Sequence, residues 1–481
     1  MPRLSLSMIV RDEEPHLSRA LETARLYADE IVVVDTGSAD GTLELARRLA
    51  DKVDLFAWED DFALARNRSL DLCTGDFVMF LDADDVVSEA SARALRELVD
   101  RPVEWDILRV PYESALDPKG GVSLTQRVWR NFAGIRWRFP IHELIEGPPG
   151  TRLGTVLDGP RVLHWPLRVE ERRADKHARN RRILRRALAS EEHRDSVHLM
   201  FHLAKELRLG DPVESEEAMG LLGRCLSLNP ARGTHFRSRL HLLTARFQRG
   251  LGHDDEALAS LGGAIAEDPH WREPFRLMSD LLRDRRRFRG ASQLLRLASA
   301  IPRPDGHVDR AELYGVDWNR HLSVCLEEAG ELDAALEEVR AALRQAPDDD
   351  ALLEREAELG EARLLRDHPP RLVKVEVATR TLARGDQFEA TFTLRSERPS
   401  TLGLGLSLRH LASAAVLSDP ARDVVRPFPA GESTVTRAFQ LPPDAPEGEY
   451  DLDAALRATK DGRLGRGLDA LTLVRPLRVG E

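Results

Sequence analysis

The sequence predicts a multidomain chain of three parts: an α/β domain over residues 1–166, an α-helical solenoid over 167–366 and an all-β sandwich over 371–481. Three observations predict it. Short apolar runs alternate with helical stretches near the N-terminus. An alanine–proline pair recurs through the middle. After Pro369-Pro370 apolar residues alternate with period two. The length of 481 residues agrees, since domains average about 150 residues.

In the first part LSLSMIV (4–10) reads as a strand, followed by a helix from His16 to Ala28. IVVVD (31–35) is a continuous apolar run, as in a strand buried on both faces. The polar turn TGSADGT (36–42) leads into a helix over Leu43–Ala50. VDLFAW (53–58) precedes a helix over Phe62–Leu72, and DFVMFL (76–81) is another buried strand that runs into Asp82-Ala83-Asp84-Asp85. Strands alternating with helices predict a mostly parallel sheet with right-handed crossovers, whose ligands gather at the carboxyl ends of the strands. Two of those ends carry aspartates.

The middle part reads as helix almost throughout. Ala218, Ala257 and Ala335 each stand 12 residues before a proline, at Pro230, Pro269 and Pro347, and Ala291 and Pro302 form the same pair one residue shorter. A small alanine lets two helices approach closely, and the proline stops the second helix. The step of 34 residues from Ala257 to Ala291 is the period of a tetratricopeptide helix pair, and ELDAALEEVRAALRQAP (331–347) resembles that family most cleanly. Longer steps elsewhere imply insertions, of which GHVDRAELYG (306–315) is one. Such arrays present a concave binding surface.

In the last part Val373, Val375 and Val377 alternate, as do Phe388 to Leu394, Leu402 to Leu408 and Tyr450 to Leu456. Six or seven short strands separated by Gly/Pro/Asp turns predict a sandwich of immunoglobulin-like type.

Composition narrows the function. Three scattered cysteines, Cys73, Cys225 and Cys325, exclude a disulfide scaffold and a thiolate zinc site and fit a reducing compartment. The start, MPRLSLSMIVRDEE, has no long apolar stretch, and nowhere do 18 uninterrupted apolar residues occur, so the reading is cytoplasmic with no transmembrane segment. A net charge of −11 argues against nucleic acid as a partner. Residues 168–194 hold ten Arg/Lys against five Asp/Glu, which suits either a solvated helix face between domains or the steering of an anionic ligand. That stretch also leaves peripheral attachment at a membrane surface open.

The chemistry lies in the first part. Asp82 and Asp84, spaced i, i+2 past a strand, put two carboxylates into one crevice, a costly arrangement without a cation between them. Carboxylate oxygens suit Mg²⁺ or Mn²⁺, with a phosphate completing the shell. Asp35 ends a neighbouring strand and can accept from a base edge or a ribose hydroxyl. Arg66 can hold phosphate bidentately. Each alone is also compatible with an ordinary turn or an exposed helix charge.

Together, MIVRDEE, VVVDTGSADGT, DDFALARNRSL and GDFVMFLDADD resemble the family 2 glycosyltransferases, over roughly residues 4–166. The likeness is nearest to bacterial members with tetratricopeptide repeats, among them bacteriocin S-glycosyltransferases. The resemblance implies a GT-A (Rossmann-like) fold, with Ile9 and Val10 lining the base pocket, Asp35 on the base, Asp82 on the ribose side, Asp84 on the metal and Arg66 beside Asp82 or the diphosphate. Ala39 and Asp85 stand where that family more often has Thr and Glu. RVWRNFAGIRWRFPIHELIEG (127–147) resembles the acceptor-side segment of the same subgroup. There Glu143 is the candidate base, because inverting sugar transfer needs a carboxylate to take the nucleophile's proton; a surface loop is the plain alternative. His142 and His164 are further candidate metal ligands, and packing is the alternative for His164 beside Trp165.

These readings converge on a metal-dependent inverting glycosyltransferase, of the hexosyltransferase kind. It would use Mn²⁺ or Mg²⁺, a nucleotide-diphosphate sugar (UDP being the commonest) and a protein, peptide or glycan acceptor. The rival is a non-catalytic tetratricopeptide scaffold with a degenerate transferase domain.

Overall fold

In the computed structural model the apolar run at the N-terminus forms the strand β1 (Leu4–Val10) with the predicted bounds. The structure describes residues 1–115, 122–132, 134–165, 172–303, 311–418, 423–460 and 463–480. It falls into two compact units, Met1–Ala329 and Gly330–Glu481.

The first unit continues through α1 (Glu14–Ala24), β2 (Glu30–Asp35), α2 (Thr42–Leu49), β3 (Lys52–Leu55), α3 (Phe62–Leu72) and β4 (Phe77–Phe80). All six residues of β2 are buried, as its unbroken apolar run requires. Then come β5 (Asp85–Val86), α4 (Glu89–Val99), β6 (Ile107–Ser114), β7 (Ser123–Arg130), the hairpin β8 (Arg136–Arg138) and β9 (Leu144–Glu146), β10 (Leu153–Thr155) and β11 (Val162–His164). The main sheet runs β3-β2-β1-β4-β7-β6-β11-β5, with β10 also on β6. Only β3, β2, β1 and β4 form the expected parallel block. The strands β7 and β6 enter antiparallel, so the sheet is mixed rather than mostly parallel. The cause is local: β6 and β7 are separated by only eight residues, too few for the crossover that a parallel pair requires.

Both faces are covered. Leu6, Met8 and Val33 pack with Leu17, Leu21, Ala46 and Leu95 of α1, α2 and α4 on one side. Val32, Val78, Phe80 and Trp129 pack with Ala63 and Leu70 of α3 and with Trp137 and Ile145 of the small hairpin on the other. The predicted strand over 53–58 is shorter, because the chain leaves the sheet after Leu55 to make the 59–61 turn that caps α3 through Asp61.

Helices follow: α5 (Arg172–Leu188), α6 (Val197–Glu206), α7 (Pro212–Leu228), α8 (His235–Gly250), α9 (Asp254–Glu267), α10 (Arg272–Asp284), α11 (Phe288–Ser299) and α12 (Gly315–Glu328). Ala218, Ala257 and Ala291 are fully buried in α7, α9 and α11, and each helix ends just before its proline. Of the basic stretch, Arg182 and Arg186 clasp Asp60 and the carbonyls of Glu59 and Asp60, which spends their charge on joining α5 to the α/β part. Residues 168–171 of that stretch, and 306–310 of the inserted segment, lie outside the described residues.

The second unit holds α13 (Leu332–Leu343), with Ala335 fully buried, and α14 (Asp350–Asp367). Its strands are β12 (Arg371–Val377), β13 (Thr381–Ala383), β14 (Gln387–Ser396), β15 (Ser400–His410), β16 (Val416–Ser418), β17 (Val424–Phe428), β18 (Gly431–Gln440), β19 (Gly448–Lys460) and β20 (Arg463–Gly480). There are thus nine strands among the described residues, where six or seven were expected. One sheet is β12-β14-β18; the other is β13-β20-β19-β15, with β16 and β17 on β15. Both feed one core, to which Phe392 and Phe439 contribute from the first sheet and Leu404 and Leu452 from the second. The predicted Val373–Val375–Val377 alternation slips. A bulge between Leu372 and Lys374 turns Leu372 and Val375 inward and leaves Val373 exposed.

Candidate active site

Three neighbouring parallel strands deliver the first residues to one edge of the sheet. In register, Val10 at the end of β1 pairs with Asp35 at the end of β2, while β4 flanks β1 on the other side and leads to Asp82. Asp35 is buried, and its Oδ1 accepts from the backbone N–H groups of Gly37 and Ser38 at 2.8 and 2.9 Å. Gly37 has φ +101°, a conformation that only glycine adopts without strain. The other carboxylate oxygen of Asp35, Oδ2, is buried with no hydrogen-bond partner. Val10 is buried and Ile9 half-buried; the Val10 carbonyl accepts from both the N–H and the hydroxyl of Thr36.

The acidic run folds back on itself through four separate elements. Asp85, wholly buried, pairs with Arg127 of β7 at 3.0 Å and lies 3.1 Å from His164 Nδ1. It also accepts from the Tyr112 hydroxyl at 3.1 Å and from the Asp82 backbone N–H at 3.2 Å. A charge so enclosed persists only with such partners. Arg127 lies between the rings of Phe80 and Tyr112 and also reaches Asp82 at 3.8 Å.

Arg66 projects from α3 over Phe80 and bridges two carboxylates, donating to Asp82 Oδ1 at 2.9 Å and to Glu143 Oε1 at 2.7 Å. Desolvation by burial pushes the Asp82 carboxyl up, but Arg66 and Arg127 outweigh it and hold it below the usual range. Asp84 is the opposite case. Desolvation raises its carboxyl, His164 works against that, and the charges of Asp82 and Asp85 add to the rise. His164 lies 3.6 Å from Asp84. Its bond to Asp85 raises its imidazole above the ordinary value despite desolvation, and Asp84 adds to this.

The sequence therefore marked Asp35, Arg66, Asp82, Asp84, Glu143 and His164 in one region, and the structure joins all but Asp35 by a chain of short polar contacts. His142 stands apart from that chain. Its ring stacks on His202 of α6 at 3.9 Å, and its Nε2 is 3.7 Å from Glu206. Arg127, Tyr112 and the buried role of Asp85 were missed. No local alternation marks Arg127, since Arg127, Val128 and Trp129 are buried in succession in β7.

Asp84, Asp85 and His164 each offer one ligand atom, and the three atoms lie within 4.8 Å of one another, the one such group among the described residues. The wider cluster sets Asp82, Asp84, Asp85 and Glu143 against Arg66 and Arg127, an excess of two carboxylates before His164 is counted. A divalent cation matches that excess. Hard oxygen donors and one imidazole suit Mn²⁺ or Mg²⁺, so the residues fit a metal of this class.

Residues 5–140 match the family model "Glycosyl transferase family 2". That match lies within the α/β part and spans less than half of the chain. A TPR repeat-containing protein of Synechococcus elongatus is 35% identical over 173 residues, which cover 35% of this chain and 41% of that protein. The prophage-derived glycosyltransferase SunS of Bacillus subtilis is 24% identical over 146 residues, covering 30% of this chain and 34% of SunS. The chain thus matches well under half the length of either relative. Among solved structures, residues 1–349 of S. aureus TarS align with 16% identity over 53% of this chain and 91% of that one, at a TM-score of 0.35. Every residue of the acidic cluster except Glu143 and His164 falls inside the span of the family 2 model. No helix among the described residues is long and apolar enough to cross a membrane.

Proposed function

We propose that the chain is a metal-dependent inverting glycosyltransferase that moves a hexose from a nucleotide-diphosphate donor, with the α/β part as a GT-A domain. The observation that carries this reading is the junction of Asp82, Asp84, Arg66 and Glu143 at the carboxyl edge of the parallel block, with two carboxylates in excess. The unpartnered, buried Oδ2 of Asp35 is suited to accept an N–H from the nucleotide base, which would relieve the cost of leaving it unsatisfied. Asp82, fixed by Arg66, faces the ribose.

Asp84, with His164 and Asp85 behind it, would hold the cation. When bound, that cation supplies Lewis-acid neutralisation of the departing diphosphate. Glu143 takes the proton of the acceptor nucleophile while the nucleophile bonds to the sugar's anomeric carbon and the bond from that carbon to the diphosphate oxygen breaks. Attack from the opposite face inverts the configuration. Because Arg66 holds Glu143 Oε1, the guanidinium fixes where this carboxylate points before an acceptor arrives.

The helical repeats are assigned to recognition of a protein, peptide or glycan acceptor, and UDP is the first donor nucleotide to try. The C-terminal sandwich is assigned to the immunoglobulin-like class. Its two-sheet order supports that, and so does Tyr450 of β19, whose hydroxyl donates to the carbonyl of Pro446 just before that strand, in the manner of a tyrosine corner. The three parts at 1–166, 167–366 and 371–481 are assigned as domains on the sequence pattern.

The test is turnover of a panel of UDP-sugars with Mn²⁺. Asp84→Asn is expected to lower UDP release by about 100-fold or more with the melting temperature retained. Full activity in that variant, or undiminished activity in excess EDTA, would remove the metal from the mechanism. Absence of calorimetric UDP-sugar binding with Mn²⁺ present would favour the scaffold.

A further inference from the structure

The base Glu143 sits on a turn that its own strands do not explain. Between β8 and β9, Phe139 and His142 both have left-handed backbones, with φ +70° and +53°. Non-glycine residues keep such angles where surrounding structure over-determines them. One grip comes from the α/β part: the Phe62 N–H, at the start of the helix that carries Arg66, donates to the Pro140 carbonyl at 2.8 Å.

The other grip comes from the helical array. His198, His202 and Glu206 are spaced i, i+4, i+8 on α6 and so share one face. All three meet the turn. His198 Nε2 lies 2.8 Å from the His142 carbonyl oxygen, and since a carbonyl only accepts, that nitrogen carries the proton. The His198 ring also stacks on Phe139 at 4.6 Å. The His202 ring stacks on His142 at 3.9 Å with planes 16° apart. Glu206 Oε1 is 3.7 Å from His142 Nε2, and Glu206 is itself held by α5, through His177 at 2.6 Å and Asn180 at 2.9 Å.

Packing alone does not ask for these side chains. Leu199, Met200, Leu203 and Ala204 already bury α6 in the helical core. Burying imidazoles is unfavourable by comparison. Burial and the neighbouring His142 and His198, with Lys205 and Arg239 beyond, push the His202 imidazole down to about 2, so this ring is neutral. Its Nδ1 has no hydrogen-bond partner. A polar ladder kept at such cost points to a purpose at the turn.

We propose that α6, through His198, His202 and Glu206, is a positioning strut that sets the backbone of His142 and thereby the aim of Glu143. This rests on the reading of Glu143 as the base. The helices then do more than recognise an acceptor: α6 completes the geometry of the catalytic carboxylate. These three are positioning residues, since none reaches the reacting atoms.

The test uses the full chain with His198→Leu and His198→Gln, because a glutamine amide can place an N–H where the imidazole Nε2–H stood. With UDP-glucose and Mn²⁺, His198→Leu is expected to lower kcat about tenfold while the donor KM, the Kd for UDP and the melting temperature stay near wild type. His198→Gln is expected to recover most of that loss. In parallel, backbone hydrogen exchange over residues 139–146 should speed up in the leucine variant and return in the glutamine variant. Unchanged kcat in His198→Leu, or equal losses in both variants accompanied by a fall in melting temperature, would overturn the strut. If the wild type neither turns over nor binds UDP, the donor reading fails, and the exchange rates alone decide the strut: no change over 139–146 overturns it.

Discussion

Asp85 settles the roles of its neighbours by being the carboxylate that water cannot reach. Arg127, Tyr112 and His164 all contact it, so Asp84, with more exposure and a raised pKa, is the carboxylate proposed to take a cation. This sets a pH dependence whose sign follows from two shifts. His164 is held protonated to higher pH than a free imidazole, and Asp84 also keeps its proton to higher pH than a free carboxyl. A cation must displace both protons. Mn²⁺ affinity is therefore expected to rise as pH rises, first through the Asp84 titration and then through that of His164. Calorimetric titration with Mn²⁺ across pH should show both limbs, and His164→Gln should lose the alkaline one. Affinity that stays flat with pH would place the cation elsewhere. At this scale, what the sequence revealed was what sits beside a strand end: Asp35, Asp82 and Asp84 announce themselves by following apolar runs. Arg127 and the α6 histidines do not. Their partners are dozens of residues away in the chain, and no local pattern links His198 to Glu143.

Among the elements, β2 shows how a buried strand start is stabilised. Glu30 is buried at its first position, bonded by the Ser5 hydroxyl, by Thr74 through both its N–H and its hydroxyl, and by Lys52 of β3. Burial disfavours the charge, but Lys52, Ser5 and Thr74 hold the carboxyl down to about 2. Because the folded value lies below the unfolded one, the stability this group contributes is present above the unfolded pKa and is lost as pH falls through about 2. The stability gap between wild type and Glu30→Gln, measured by urea unfolding, should therefore shrink as pH falls through that window; a constant gap would mean the bonds do not favour the ionised form. The elements themselves were largely legible. The run of short apolar and helical stretches located β1 and α3 to the residue, and the alanine–proline pairs located α7, α9, α11 and α13, because a fully buried alanine and a terminating proline are local constraints. The antiparallel entry of β7 was not legible, since its pairing with β4 joins residues far apart in the chain. Nor was the bulge in β12, where one extra residue shifts every later side chain to the other face.

On the scale of the molecule, two compact units each own a core, so unfolding should not be a single two-state event. Leu404, fully buried in β15, is a probe of the second unit. Leu404→Ala is expected to cost that unit about 2–5 kcal/mol. Calorimetry should show this as a shift of one transition rather than of the whole trace; a uniform shift would mean that the chain melts as one. The first unit has a consequence for anyone who would trim it. The left-handed turn before Glu143 is braced from α6, well beyond residue 166. A cassette cut at that residue would keep its acidic cluster intact and lose the splint behind Glu143. Grafting the cassette onto a foreign helical array should carry α5 and α6 along with it.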